Sequence, residues 1–149
     1  MKKQALITGA TSGIGRATAL RLAAEGYDIT ATGRRAERLE TLRREIEAAG
    51  GRCTALVFDV RSEAEVRKFL SPLERVDLLI NNAGLAAGLE HIDQGDTADW
   101  DAMIDTNVKG LLYVTRVVTP KMVAAGGGNT PGTPFRSRCA PTCCQAESR

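Results

Sequence analysis

The sequence predicts an α/β fold, a doubly wound parallel sheet, on three observations. Short apolar runs at residues 4–8, 28–32, 53–58 and 76–80 alternate with stretches of helical period, and such alternation produces a parallel sheet with right-handed crossovers. A glycine-rich turn, Thr8-Gly9-Ala10-Thr11-Ser12-Gly13-Ile14-Gly15, joins the first run to the first helical pattern. The fourth run, Val76 to Ile80, is continuously apolar, as a strand covered by helices on both faces must be.

Taken in order, the first strand is Gln4 to Thr8 and the first helix runs from Gly13 to Glu25, with Ile14, Ala17, Leu20 and Ala24 as its expected core stripe and Gly26 as its stop. The second strand is Asp28 to Thr32. Helix two, Ala36 to Ala49, turns Leu39, Leu42 and Ile46 inward and keeps Glu37, Arg38, Glu40, Arg43, Arg44 and Glu45 wet before ending at Gly50-Gly51. Strand three, Cys53 to Phe58, is closed by Asp59. Helix three opens at Ser62, an N-cap with Glu65 three residues on, and stops before Pro72. After strand four, a loop of small and polar residues, Asn81 to Asp96, leads to a long helix, Ala98 to Ala125, in which Pro120 is expected to produce a kink or a break. Trp100 and Met103, one turn apart, read as core.

At 149 residues, with 43% hydrophobic and 26% charged residues, the chain has the dimensions of one globular domain. No apolar run reaches the length of a membrane span and no signal-peptide core follows Met1-Lys2-Lys3-Gln4, so a cytoplasmic protein without membrane contact is expected. A net charge of +2 without a basic, aromatic-studded cluster gives no reason to expect nucleic acid. The composition changes sharply near the C-terminus. From Asn129 to Arg149 there is no Leu, Ile, Val or Met, while three of the five prolines and three of the four cysteines fall there. A segment without branched aliphatics cannot offset its ordering entropy by burial, so residues 1–126 are expected to form the folded domain and 127–149 a disordered tail. Cys139-x-x-x-Cys143-Cys144 lacks further ligands nearby, so these read as free thiols and no metal site is expected. His91 reads as an exposed loop histidine.

The turn carries the chemistry. Its glycines let backbone approach a bulky anion, and the helix start behind them offers unpaired N–H groups and a positive dipole end. An acid at the end of the second strand would hydrogen-bond an adenosine ribose and select NAD. Here Gly33 stands there, followed by Arg34 and Arg35, whose guanidinium forks suit a 2′-phosphate dianion and so favour NADP.

Together with this turn, Asp59-Val60, Asn81-Asn82-Ala83-Gly84 and Asn107 within Asp105-Thr106-Asn107-Val108-Lys109-Gly110 make the chain resemble the short-chain dehydrogenase/reductase family over residues 4 to 125, the Rossmann-type cofactor-binding half of such an enzyme. The resemblance implies that Gly9, Gly13 and Gly15 take the diphosphate and that Thr11, Ser12 and Ile14 beside them bind the cofactor. It further implies that Asp59 and Val60 flank the adenine and that Asn82, Ala83 and Gly84 border the cofactor. Arg34-Arg35 followed by Glu37-Arg38-Leu39, the loop Asn82 to Ala86, and Trp100-x-x-Met103-Ile104-Asp105-Thr106-Asn107 look most like the NADP-dependent 3-hydroxy acid dehydrogenases. A small hydroxy acid or related alcohol or carbonyl is then the implied substrate, and a homo-oligomer built on the long helix the implied assembly.

Family chemistry uses a tyrosine to move the proton, a lysine four residues later to lower its pKa, and a serine on a fifth strand. The two tyrosines here are Tyr27, followed at the fourth position by Ala31, and Tyr113, followed by Val117; Asn107 is the single match to the catalytic tetrad. Asn129-Thr130-Pro131-Gly132-Thr133-Pro134 cannot be a central strand. The expectation is an incomplete, frameshifted or prematurely ended copy of such an enzyme with a non-native tail, or else a catalytically inactive dinucleotide-binding fragment. Strand four would then be an open edge prone to aggregation.

Overall fold

In the computed structural model, which describes residues 2–88 and 90–126, four parallel strands form one sheet: β1 (Gln4–Ile7), β2 (Asp28–Gly33), β3 (Cys53–Val57) and β4 (Leu78–Ile80). Their spatial order is β3-β2-β1-β4. The chain therefore winds outward from β1 to β3 and then returns to the other side of β1. The strand order reverses between β1 and β4, which is where doubly wound sheets hold their ligands. Among the described residues β4 is an edge strand.

Successive residues of a strand face opposite sides, and β1 divides its side chains accordingly. Ala5 and Ile7 join Ile29 and Ala31 under α1 (Gly13–Ala24) and α2 (Ala36–Ala48), where Ala19, Leu39, Leu42 and Ile46 complete one core. Leu6 and Leu79 face α3 (Glu63–Leu70) and α5 (Leu111–Ala124), meeting Val66, Leu70, Val114, Val118 and Met122. The inward residues expected for helix two are the ones that are buried. Ser62 caps α3, its hydroxyl accepting from the Glu65 N–H at 3.3 Å. Among the described residues no helix is long and apolar enough to cross a membrane.

Three expectations are corrected. The buried residues of α1 are Gly15 and Ala19, while Ile14 is 78% exposed and Ala17 and Ala24 are exposed as well; of the expected stripe Leu20 alone packs against the core. The smallest residues face the sheet because α1 has to come down directly onto the glycine-rich turn, where a longer side chain has no room. Trp100 and Met103 are only half-buried, on a helix α4 (Thr97–Ile104) with no fully buried residue. The indole covers Gly95, at which a Cβ would stand 2.8 Å from the ring. The long helix is interrupted not at Pro120, which sits inside α5, but at a wide π-type segment, Asp105–Gly110, between α4 and α5. This segment seats the buried Gly110 against Val60, where a Cβ would come within 2.8 Å of the valine methyl. The expectations for residues 127–149, their disorder, altered frame and cysteine cluster, lie outside the described residues.

Candidate functional site

Thr8, 1% exposed at the end of β1, joins the two loops that meet at the reversal of strand order. Its Oγ1 accepts from the N–H of Asn82 and from the N–H of Ala83, each at 3.0 Å. The Asn82 side-chain amide donates back to the carbonyls of Thr8 (3.2 Å) and Gly9 (3.1 Å). This close seam requires glycine. Gly9 has φ +66°, and a Cβ there would lie 2.8 Å from the Ala83 Cα. At Gly15 a Cβ would collide with the Asn82 amide and the Gly9 carbonyl, which explains why the helix presents small residues here.

Gly13 differs from both: its φ is +56° and nothing stands within 4 Å of where a Cβ would be, because it borders open space. That space is a cleft of about 720 Å³ beyond the carboxyl ends of the strands. Gly9, Thr11, Ser12, Gly13 and Ile14 line one wall; Arg34, Arg35, Asp59 and Val60 lie across the ends of β2 and β3; Asn82, Ala83 and Gly84 close the side toward β4. Of the candidate cofactor residues, Gly15 alone is not on the surface of the cleft, being buried beneath the turn.

Three polar groups of the cleft, those of Thr11, Ser12 and Arg35, are tied to one another. One nitrogen of the Arg35 guanidinium, Nη2, donates to Thr11 Oγ1 (2.8 Å) and Ser12 Oγ (2.9 Å), bridging from the end of β2 to the turn. Each hydroxyl that accepts from Arg35 keeps its own proton to donate. Arg34 extends into solvent with Nη1 3.9 Å from Asp59 Oδ2. Burial pushes the Asp59 carboxyl up, but the Arg61 hydrogen bonds and charge, with Arg34 behind them, bring it below the usual carboxylate value. A helix start rich in free N–H groups beside two guanidiniums is suited to a polyanion carrying more than one phosphate.

The sequence model of the family described as short chain dehydrogenase matches residues 3–130. The chain belongs to the short chain dehydrogenase family. It is 46% identical over 128 residues to a probable NADP-dependent dehydrogenase of Haemophilus influenzae, and 42% identical over 128 residues to the NADP-dependent 3-hydroxy acid dehydrogenase YdfG of Escherichia coli; each alignment covers 83% of this chain and 50% of the relative. The chain thus spans about half the length of the curated relatives it matches. Among solved structures, the closed form of serine dehydrogenase complexed with NADP+ superposes with a TM-score of 0.79 at 41% identity, over 85% of this chain and 52% of that one.

Against this family background, Asn107 stands apart from the cleft wall. Its Oδ1 accepts from the Leu85 N–H and its Nδ2 donates to the Leu85 carbonyl, both at 2.8 Å, so both polar ends of the side chain are used to tie the loop after β4 to the π-type segment. His91 is exposed and does not line the cleft. Among the described residues no three metal-binding side chains cluster. Gly33, Phe58 and Thr106 also line the cleft. Phe58 could have been anticipated as the apolar residue preceding Asp59, whereas Thr106 is brought in by the π-type segment, which nothing in the residue pattern announced.

Proposed function

We propose that these residues form the NADP-binding half of an oxidoreductase that transfers hydride between NADP and a small hydroxy acid or the related carbonyl. The observation that carries the reading is the end of β2. Gly33 offers no carboxylate to a ribose, and Arg34 and Arg35 stand on the cleft wall beside it. The residues fit NADP on two counts: the open space beside Gly13 at the start of α1 can take a diphosphate, and the two guanidiniums can take a further phosphate dianion. In this reading Gly9, Thr11, Ser12, Gly13 and Ile14 cradle the diphosphate, Asp59 and Val60 border the base, and Asn82, Ala83 and Gly84 border the remainder. Gly15 acts from below by letting α1 close on the turn. When bound, NADP supplies the hydride acceptor. The hydroxy-acid substrate class is supported by the relatives at 42% and 41% identity, named as 3-hydroxy acid and serine dehydrogenases.

A second reading, cofactor binding without turnover, is favoured by a specific observation. Tyr27 and Tyr113 both pack against the hydrophobic cores, and neither lines the cleft. Neither is followed four residues later by lysine. The 149 residues therefore contain no visible tyrosine–lysine pair to move the proton of a carbinol. Incubating the purified chain with NADP and serine while following NADPH formation, beside a fluorescence titration with NADPH, separates the two. Turnover above background excludes the second reading. Binding without turnover excludes catalysis by these residues alone, and absence of binding overturns both.

A further inference from the structure

The amino ends of the strands carry a second, smaller cleft of about 360 Å³, lined by Lys2, Gln4, Asp28 and Arg52. The sheet itself sets these groups side by side: Gln4 of β1 is in register with Asp28 of β2, and the Ile29 N–H donates to the Arg52 carbonyl at 2.9 Å. Two carboxylates stand at this end of the sheet, and their surroundings differ. Asp77 is well matched, accepting from Arg75 Nε and Nη2 and from the Gln4 N–H at 2.8 Å. Asp28 is 8% exposed, yet among the described residues its side chain accepts one hydrogen bond, from Gln4 Nε2 to Oδ2 at 3.3 Å, and takes part in no ion pair. A buried carboxylate is ordinarily paired or fully hydrogen-bonded, because its loss of water has to be offset. Here Oδ1 is left open on the wall of a cleft. Lys2 and Arg52 are exposed on the same cleft and likewise have no ion-pair partner among the described residues.

We propose that this cleft binds a small α-amino acid as its zwitterion, Asp28 accepting from the ammonium while Arg52 and Lys2 take the carboxylate. A simple anion would find the two cations but meet the Asp28 charge. A simple cation would find Asp28 but meet Lys2 and Arg52. A compact molecule carrying both charges satisfies all three groups, and the arginine fork suits a carboxylate in particular. The volume stands at the lower end of the range for small-molecule sites, which fits a ligand of few carbon atoms. Asp28 opens β2 and Arg34 follows its last residue, so about 20 Å of strand separates this cleft from the one at the carboxyl ends. The proposal is therefore independent of the NADP reading.

The test is a titration of the whole chain with glycine, which has no hydroxyl to oxidise, followed by amide NMR spectra at constant ionic strength so that general screening does not change. Glycine moves the Gln4 side-chain amide and the Asp28 and Ile29 backbone amides saturably. Acetate and methylamine, each carrying one of its two charges, bind at least about tenfold more weakly, the worth of one hydrogen bond to a charged group. Arg52→Gln weakens glycine binding at least about tenfold. Asp28→Asn does the same while leaving acetate binding no weaker than in the parent chain. Arg52 is exposed, so its variant keeps the fold and decides the matter even if the Asp28 variant does not fold. No saturable shift at Gln4, Asp28 and Ile29, binding of acetate, methylamine or inorganic phosphate as tight as that of glycine, or full glycine affinity in either folded variant overturns the proposal.

Discussion

Thr8→Val puts the seam between the turn and the β4 loop under direct test. Valine has nearly the shape of threonine, so packing in the 1% exposed site is retained and the hydroxyl alone is removed. Two N–H groups, those of Asn82 and Ala83, then lose their acceptor at 3.0 Å. An unsatisfied buried donor costs about 1–3 kcal/mol, and because both residues are only partly buried the low end applies to each, giving about 2–3 kcal/mol in all. Against a typical domain stability of about 5–15 kcal/mol, that is a large fraction. With a urea slope of about 1–3 kcal/mol per molar, the midpoint should fall by about 0.7–3 M in equilibrium denaturation followed by circular dichroism. Thr8→Ser keeps the hydroxyl and removes one methyl, worth about 1 kcal/mol. The expected order is parent, serine variant, valine variant. A valine variant within about 0.5 kcal/mol of the parent, or more stable than the serine variant, would refute the reasoning, since 0.5 kcal/mol is the scale of substitutions that break nothing.

The same chemical change should have the opposite sign at Thr32. Its hydroxyl is fully buried without a hydrogen-bond partner, so Thr32→Val should raise stability by about 1 kcal/mol in the same urea assay; a loss of stability would mean that the hydroxyl is satisfied after all. At the other end of the sheet, the Arg75 hydrogen bond, aided by the Gln4 N–H, holds the Asp77 carboxyl below the usual value. A depressed folded-state pKa contributes stability that is present above the unfolded value of about 4 and is lost as pH falls through the folded value. Asp77→Asn should therefore lower the urea midpoint at neutral pH, and its difference from the parent should shrink as the solution is acidified below about pH 4. A difference that stays constant with pH would contradict this.

Much of the architecture was legible because two periodicities carried it. The apolar runs and the inward Leu39, Leu42 and Ile46 follow from period two and period 3.6, and the stops at Gly26 and Gly50, with φ of +87° and +81°, from the special freedom of glycine. Periodicity failed where close backbone approach overrides hydrophobicity. In α1 the turn lies directly under Gly15, which together with Ala19 is buried, and the large apolar Ile14 was left on the cleft wall. The π-type segment was invisible for a related reason: one wide turn leaves helical spacing almost intact, while Pro120, the obvious breaker, is carried inside α5. Most of the cleft wall could be read from motif residues that stand at strand ends, where backbone position alone brings them together. The bridge from Arg35 to Thr11 and Ser12, and the grip of Arg61 on Asp59, are side-chain arrangements that sequence spacing does not encode.

The proposed reading is that the cleft takes a dinucleotide with an extra phosphate, and its most direct test is calorimetric titration of the chain with NADPH and with NADH under identical salt. One NADPH should bind per chain, at least about tenfold more tightly than NADH, the discrimination that about 1.4 kcal/mol of phosphate–guanidinium contact provides. No saturable heat with NADPH, or equal affinity for the two, would contradict the central claim.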